Sequence, residues 1–388
     1  MAQHYLPYGR QSIDESDIEA VIEVLRGDWL TTGPTIDALE AAFCEAVGAE
    51  HAVACSNGTT ALHLALAAQG VGPGDVCIVP AVTFMATANA ALYCGSDVVF
   101  ADVDPDTGLM TPDTLDDALG RAGGKARVVL PVHLAGQCEA LDRMAMQAEA
   151  AGAVLVEDAC HAVGSRWQGE PVGNCQHSRA ATFSFHPVKT IAAGEGGMVT
   201  TGDGELARRM RLLRSHGIER DRSRHERQAG EPWWHEMQAL GWNYRLSDIQ
   251  AALALSQLKR LGQFAERRSA LAAAYDAAIA AANIPVSALA RTADCDPCLH
   301  LYPVRIDFEA LGQSRTSVMA ALAARGVGSQ VHYIPVPDQP YYRARYGEQD
   351  LPGARRYYAR TLSLPLYVGM TDEDPEFVVG ALADVLAG

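Results

Sequence analysis

Lysine is scarce in this 388-residue chain: Lys125, Lys189 and Lys259 are the only three. Positive charge is short overall. With 31 Lys and Arg against 47 Asp and Glu, the net charge is −16, which repels nucleic acid and anionic membrane unless a local patch overrides the field. Any anionic ligand must then be held by specific groups. Long apolar runs are missing too: no stretch reaches bilayer length, and the opening MAQHYLPYGRQSIDESD lacks a charged-then-apolar leader pattern. A cytoplasmic location is expected. The nine cysteines, Cys44, Cys55, Cys77, Cys94, Cys138, Cys160, Cys175, Cys295 and Cys298, are odd in number and scattered through mostly apolar segments, which suits reduced core thiols and excludes a disulfide scaffold. One cluster, DCDPCLH with Cys295, Cys298 and His300, has metal-ligand residue types, but no second pair follows at a matching spacing. A loop leading into the strand LYPVRI is the preferred reading, and no metal is expected.

What is present fits a well-packed globule, 48% hydrophobic and longer than one core usually allows. Two domains are expected: a large one over residues 1–250 with an N-terminal arm, and a smaller C-terminal α/β domain over 251–388, joined by a long helix. Between about 50 and 200 short apolar runs recur: HAVAC, VCIVP, DVVFADVD, RVVLPV, AVLVED, TFSF and GMVTT. Strands apolar on both faces, alternating with helical stretches such as TTALHLALAAQ, predict an α/β domain with a mainly parallel sheet, whose strand ends carry the site.

Three features at those ends carry chemistry. CSNGTTALHLAL sets Ser56, Asn57, Gly58, Thr59 and Thr60 between a strand and a helix, where free amides and hydroxyls make a phosphate seat. Ser/Thr caps open many helices without binding anything, so this signal needs company. Asp158, in VLVEDACHAVGS, closes an apolar strand, where a carboxylate is poorly solvated unless it meets a cation. Lys189, in TFSFHPVKTIAAGEGG, lies just past another strand, before a hairpin-like glycine cluster. Together they describe a pyridoxal phosphate site: the lysine bonds the cofactor, the aspartate keeps its ring nitrogen protonated, and the helix start holds its phosphate.

The collinear run NGTTAL, TFMATANA, VEDACHAVGS, SFHPVKTIAAGEGGMVTT, NYRLSDIQAALALSQL and LSLPLYVGMTDED resembles the DegT/DnrJ/EryC1/StrS group of nucleotide-sugar aminotransferases across nearly the whole chain. That resemblance implies the aspartate aminotransferase (type I) fold, a homodimer with a composite active site, and amino transfer from glutamate to a keto-sugar. It makes Lys189 the cofactor-bearing lysine and Asp158 the pyridinium partner. Gly58, Thr59 and Ser184 become the phosphate cradle, and Phe84 the aromatic that stacks on the ring. His161 falls where most relatives have glutamine beside the ring hydroxyl, and neutral imidazole can donate there as well; a buried structural histidine fits the same position. Asn243 matches an asparagine reaching the phosphate from the other subunit. Arg245 either meets an anionic substrate or forms an interface salt bridge. Members with histidine at the lysine position dehydrate instead; here the lysine is present and His186 lies three residues earlier, which favours amino transfer.

More narrowly, SFHPVKTIAAGEGG and GVGSQVHYIPV look like the branch that aminates UDP-4-keto-6-deoxy-N-acetyl-β-L-altrosamine on the way to pseudaminic acid. On this reading His332, Tyr333, Thr31 and Thr32 line the sugar or diphosphate pocket; strand residues and a turn are the plain alternatives. Another keto-sugar nucleotide or an aminocyclitol ketone fits the same chemistry. A regulator that binds cofactor without turnover is the competing class, against which the intact Lys189, Asp158 and seat argue.

Overall fold

The computed structural model describes residues 5–227 and 231–387. The seven apolar runs become one sheet: β1 (His51–Cys55), β2 (Val76–Pro80), β3 (Asp97–Ala101), β4 (Ala126–Val129), β5 (Val154–Asp158), β6 (Ala180–Ser184) and β7 (Gly197–Thr201). Their spatial order is β1-β7-β6-β5-β4-β2-β3. Neighbours from β3 to β6 pair in parallel, whereas β7 is antiparallel to both β1 and β6, so it runs against the other six.

The unbroken apolar runs are explained by burial on both faces. Ala52 and Ala54 of β1 join a core containing Phe43 and Phe183, while the alternate Val53 and Cys55 join a second core with Leu62 and Leu66 of the helix α1 (Gly58–Ala68). The parallel pairing, with β1 running the same way on the far side of β7, aligns the C-terminal ends of six strands along one edge. The reversal of β7 keeps the connection from β6, residues 185–196, at that same edge. The connection is pinned at its base, where the Phe185 amide donates to the Gly196 carbonyl and the Ala193 amide to the Phe185 carbonyl, each at 2.8 Å. At Gly197 a Cβ would lie 2.4 Å from the Asn57 carbonyl oxygen, so no other residue fits there.

Helix α2 (Asp248–Lys259), capped reciprocally by Ser247 and Gln250, leads into the 22-residue α3 (Leu261–Ala282). Beyond it, β8 (Val286–Ala288), β9 (Tyr302–Ile306) and β10 (Thr361–Leu364) form an antiparallel sheet in the order β8-β9-β10. Tyr275, Tyr302, Leu322, Leu362 and Leu382 build a third core there. Packing crosses residue 250 in both directions. Leu6 belongs to this third core and exchanges backbone bonds with Gly326 and Gly328, whereas Tyr342, Leu351 and Tyr357 belong to a core of the large sheet. The C-terminal third thereby reaches over the strand-end edge. Among the described residues no helix is long and apolar enough to cross a membrane.

Candidate active site

A cavity of about 630 Å³ opens at that edge. Its floor begins where β1 runs into α1. Asn57 Oδ1 accepts the Thr60 amide at 2.9 Å and the Asn57 amide reaches Thr60 Oγ1 at 3.1 Å, a reciprocal cap that leaves the Gly58 and Thr59 amides fronting the cavity. A Cβ on Gly58 would come 2.8 Å from Cβ and 3.1 Å from Oγ of Ser184. Glycine is thus what lets the Ser184 hydroxyl, at the end of β6, approach the helix start. Helix-end amides beside a hydroxyl make a seat for a phosphate.

Asp158, buried at the end of β5, is held in one orientation. Its Oδ2 accepts the Thr87 hydroxyl at 2.7 Å and its Oδ1 the Cys160 amide at 3.2 Å. Thr87 in turn lies 2.7 Å from the Thr83 hydroxyl, and the His133 amide donates to the Asp158 carbonyl at 3.0 Å. Alternation along β5 turns Glu157 away, where it takes His133 Nε2 at 2.7 Å and the Ser178 hydroxyl at 2.6 Å.

Lys189 stands on a turn closed by its own amide donating to the His186 carbonyl at 2.8 Å. Burial lowers its amine below the ordinary lysine value, against the opposing pull of Cys160 and Asp158, which raises the share of neutral, nucleophilic amine. Around it are three buried imidazoles. His161 Nδ1 faces the Ala135 amide at 3.3 Å; that amide can only donate, so the neutral ring carries its proton on Nε2, which lies 3.2 Å from the Tyr333 hydroxyl. The Tyr333 oxygen then accepts from His161 and its own proton is free to donate into the cavity. Burial holds His161 well below the usual imidazole range, helped by Lys189 and His332. His300, 4.4 Å from His161 between ring centroids, is lowered in the same way. Burial pushes His332, which meets Ser363 Oγ at 2.8 Å, down to about 3. These three imidazoles are therefore neutral beside Lys189. Phe84, 52% exposed, presents its ring to the cavity 6.1 Å from that of Tyr333.

Of the residues expected from the sequence, Gly58, Thr59, Phe84, Asp158, His161, Ser184, Lys189, His332 and Tyr333 all line this cavity. Thr31, Thr32, Asn243 and Arg245 do not line it in their own chain. They form a neighbouring ledge: Thr31 bridges Ser247, Asn243 bridges Ser215, and the Gly33 and Thr35 amides donate to buried Asp248 at 2.8 and 3.1 Å. The ledge abuts the seat, because the Ser56 amide donates to the Tyr244 carbonyl at 2.8 Å. Thr87, Tyr8, His300 and Gln330 were not singled out for this site from sequence, and Tyr8, Thr87, His300 and Gln330 all line it. Thr87 sits on the short helix Ala86–Tyr93, and nothing local in that stretch ties it to Asp158. Cys295, Cys298 and His300 go three ways: Cys295 faces Cys138, the Cys298 amide donates to Ser165 Oγ at 3.0 Å, and His300 enters the cavity. Among the described residues no group of three or more His, Cys, Asp or Glu side chains is placed to hold a metal.

A model of the DegT/DnrJ/EryC1/StrS aminotransferase family matches residues 11–383. The chain belongs to this family. It is 38% identical over 388 residues to the spore coat polysaccharide biosynthesis protein SpsC of Bacillus subtilis (strain 168), covering 99% of this chain and 98% of that one. Its structure matches PseC of Helicobacter pylori, an aminotransferase involved in the biosynthesis of pseudoaminic acid, with a TM-score of 0.90 at 28% identity over 99% of each chain. Spr1654 from Streptococcus pneumoniae, solved in PLP and PMP forms, matches with TM-scores of 0.89 and 0.90 at 28% identity, covering 99% and 98% of this chain and 99% of each of those. The chain is thus a sugar aminotransferase of the type I fold, and pyridoxal 5'-phosphate is its cofactor.

The residues present fit that group, since the Gly58 position is a cradle that a Cβ would fill and a carboxylate, an amine and an open aromatic ring face the same space. When bound, pyridoxal phosphate supplies an electrophilic carbonyl and an electron-withdrawing ring. Gly58, Thr59 and Ser184 would hold its phosphate, Asp158 its ring nitrogen, Phe84 its face, and Lys189 its carbonyl carbon.

Proposed function

We propose that the protein transfers an amino group from glutamate to C4 of a UDP-linked 4-keto-6-deoxy-N-acetylhexosamine of the L-altro configuration, as a homodimer whose site is completed by Asn243 and Arg245 of the second copy. The observation that carries the amino-transfer half is the convergence of Lys189, Asp158 and the Gly58–Ser184 cradle on one cavity. Lys189, with its lowered proton affinity, would hold the cofactor at its carbonyl carbon and would carry the proton at the substrate carbon. Asp158 would keep the ring nitrogen charged, and the two bonds it accepts from Thr87 and Cys160 keep its carboxylate in place.

The sugar half of the proposal draws on PseC, whose name ties it to pseudoaminic acid, and on the character of the wall. Tyr8, Phe84, Met85 and Ile334 supply apolar contact for a deoxy-sugar, and the Tyr333 hydroxyl supplies a donor. No arginine lines the cavity among the described residues, so a nucleotide diphosphate needs donors from elsewhere, and the ledge with Asn243 and Arg245 has them. A second reading, a different nucleotide-linked keto-hexose, is favoured by the likeness to a spore coat polysaccharide protein at 38% identity. The deciding experiment offers L-altro and D-gluco UDP-4-keto sugars side by side with glutamate, following product mass and the C4 proton by NMR. Turnover of the D-gluco compound alone, or of a 3-keto sugar, selects the second reading and leaves amino transfer standing.

A further inference from the structure

Nine cysteines are present and all are free thiols. Two of them, 157 positions apart in the chain, meet beside the cavity. The Cys138 amide donates to Cys295 Sγ at 3.3 Å, and the same sulfur lies 3.8 Å from the Gly136 carbonyl. The backbones carrying them are stitched together: the Thr292 hydroxyl donates to the Cys138 carbonyl at 2.7 Å, and Cys295 pairs with Trp167 in a short strand. Cys138 is fully buried, whereas Cys295 is partly exposed and flanked by exposed Asp294 and Asp296. One residue therefore reaches the surface and the other lies behind it.

The chemistry of the two differs in the same sense. The hydrogen bond from the Cys138 thiol, joined by that of its amide and by His133, pulls Cys295 below the ordinary thiol range. Burial drives Cys138 well above it, and also raises Cys44, Cys55, Cys77, Cys94, Cys160, Cys175 and Cys298. A thiolate-rich, reachable cysteine with a second thiol at hand is the arrangement of a redox-sensitive site.

We propose that Cys295 and Cys138 form a reversible oxidation site for hydroperoxides, coupled to the seat of His161. The Cys295 sulfur attacks the outer peroxide oxygen, the O–O bond breaks, an alcohol or water leaves, and Cys295 becomes a sulfenic acid. The Cys138 sulfur then attacks Cys295 Sγ, the S–O bond breaks, water leaves, and a disulfide remains. Two thiols lose two electrons, and the peroxide gains them. The coupling follows from residues 134–138. Ala135 of this segment supplies the amide facing His161 Nδ1 and the carbonyl that accepts the His300 amide at 3.2 Å. The segment has no slack, since a Cβ on Gly136 would lie 2.5 Å from the Cys298 carbonyl oxygen. Bringing the sulfur of Cys138, whose amide already lies 3.3 Å from Cys295 Sγ, to a bond of about 2.05 Å shifts that segment and the imidazole it holds.

The test treats the purified holoenzyme with dilute hydrogen peroxide and maps its peptides without reduction. A Cys138–Cys295 crosslink is expected, reversed by dithiothreitol, with severalfold weaker pyridoxal phosphate binding by absorbance titration in the oxidised form. Cys138→Ala should leave a dimedone-reactive sulfenic acid on Cys295, and Cys295→Ser should bind cofactor equally before and after peroxide. Iodoacetamide should label Cys295 of the untreated wild type fastest of the nine. A crosslink between other cysteines, or labelling of Cys295 no faster than the rest, overturns the site, and a crosslink that leaves cofactor binding unchanged overturns the coupling.

Discussion

The cavity wall and the ledge beside it are both rich in hydroxyls and amides, yet they are finished in opposite ways. In the wall, polar groups meet partners of their own chain: Asp158 takes Thr87 and Cys160, His332 takes Ser363, and His161 takes Ala135 and Tyr333. In the ledge the backbone is tied down by Asp248, but Thr31, Thr32 and Asn243 are exposed, next to Trp29 at 58% and Leu30 at 49% exposure. A side chain ordered by its own fold is ready for chemistry at one place. One left open on a rigid backbone is ready for a partner. The contrast assigns bond-making to the wall and, in the proposed dimer, completion of the anion site to the ledge.

The strongest test of that contrast removes the amine. Lys189→Ala should lower turnover by about a thousandfold or more while cofactor still binds through the cradle and Asp158. Borohydride should bleach the yellow wild type and leave the pyridoxyl group on Lys189; finding it on Lys125 or Lys259 refutes the assignment. Asp158→Asn should cost roughly a hundredfold or more in kcat. Thr87→Val, which only positions Asp158, should cost roughly tenfold, or about 1.5 kcal/mol, with Thr87→Ser restoring most of it. An effect of Thr87→Val confined to KM would show that it acts on binding instead.

The ledge is tested by mixing. Inactive Asn243→Ala and inactive Lys189→Ala proteins, combined equally and allowed to exchange, should recover about a quarter of wild-type activity, since half the dimers are hybrids with one intact site of two. No recovery despite demonstrated exchange would place both residues' roles in one chain and erase the contrast. Arg245→Ala should have the smallest kinetic effect, a severalfold rise in KM for the sugar nucleotide with kcat nearly kept, weakening at high salt.

The burial of the three imidazoles also has a pH signature. His161, His300 and His332 are buried neutral, with folded values below the unfolded value of about 6.5, so the unfolded chain binds more protons. Stability therefore falls as pH drops below about 6.5, by about 1.4 kcal/mol per pH unit for each histidine, until its folded value is reached, for His332 about 3. Denaturant midpoints of the apoprotein against pH should show this slope, and His332→Gln should flatten it. An unchanged slope would mean that His332 takes up protons in the folded state as freely as in the unfolded one.

Much of this molecule was readable from residue order, because its strongest signals are local. Seven apolar runs named the seven strands of the large sheet, since burial on both faces leaves no room for polar alternation, and the ends of two of them marked Asp158, the last residue of β5, and Lys189, five residues past β6, because carboxylates and amines are costly inside a sheet. The NGTT cap marked α1, for capping is a matter of four consecutive residues. What residue order did not contain was adjacency across the fold. That Gly58 is glycine because Ser184 lies against it, that Thr87 holds Asp158 from 71 positions away, that His300 belongs to the cavity and Cys295 to Cys138, and that Thr31 and Asn243 share one ledge were all decided by how the sheet order and the returning C-terminal segments pack. Caps and strand periodicity act over a few residues and leave a pattern in sequence. Contacts between distant segments depend on crossovers and on the reversal of β7, which no short stretch encodes.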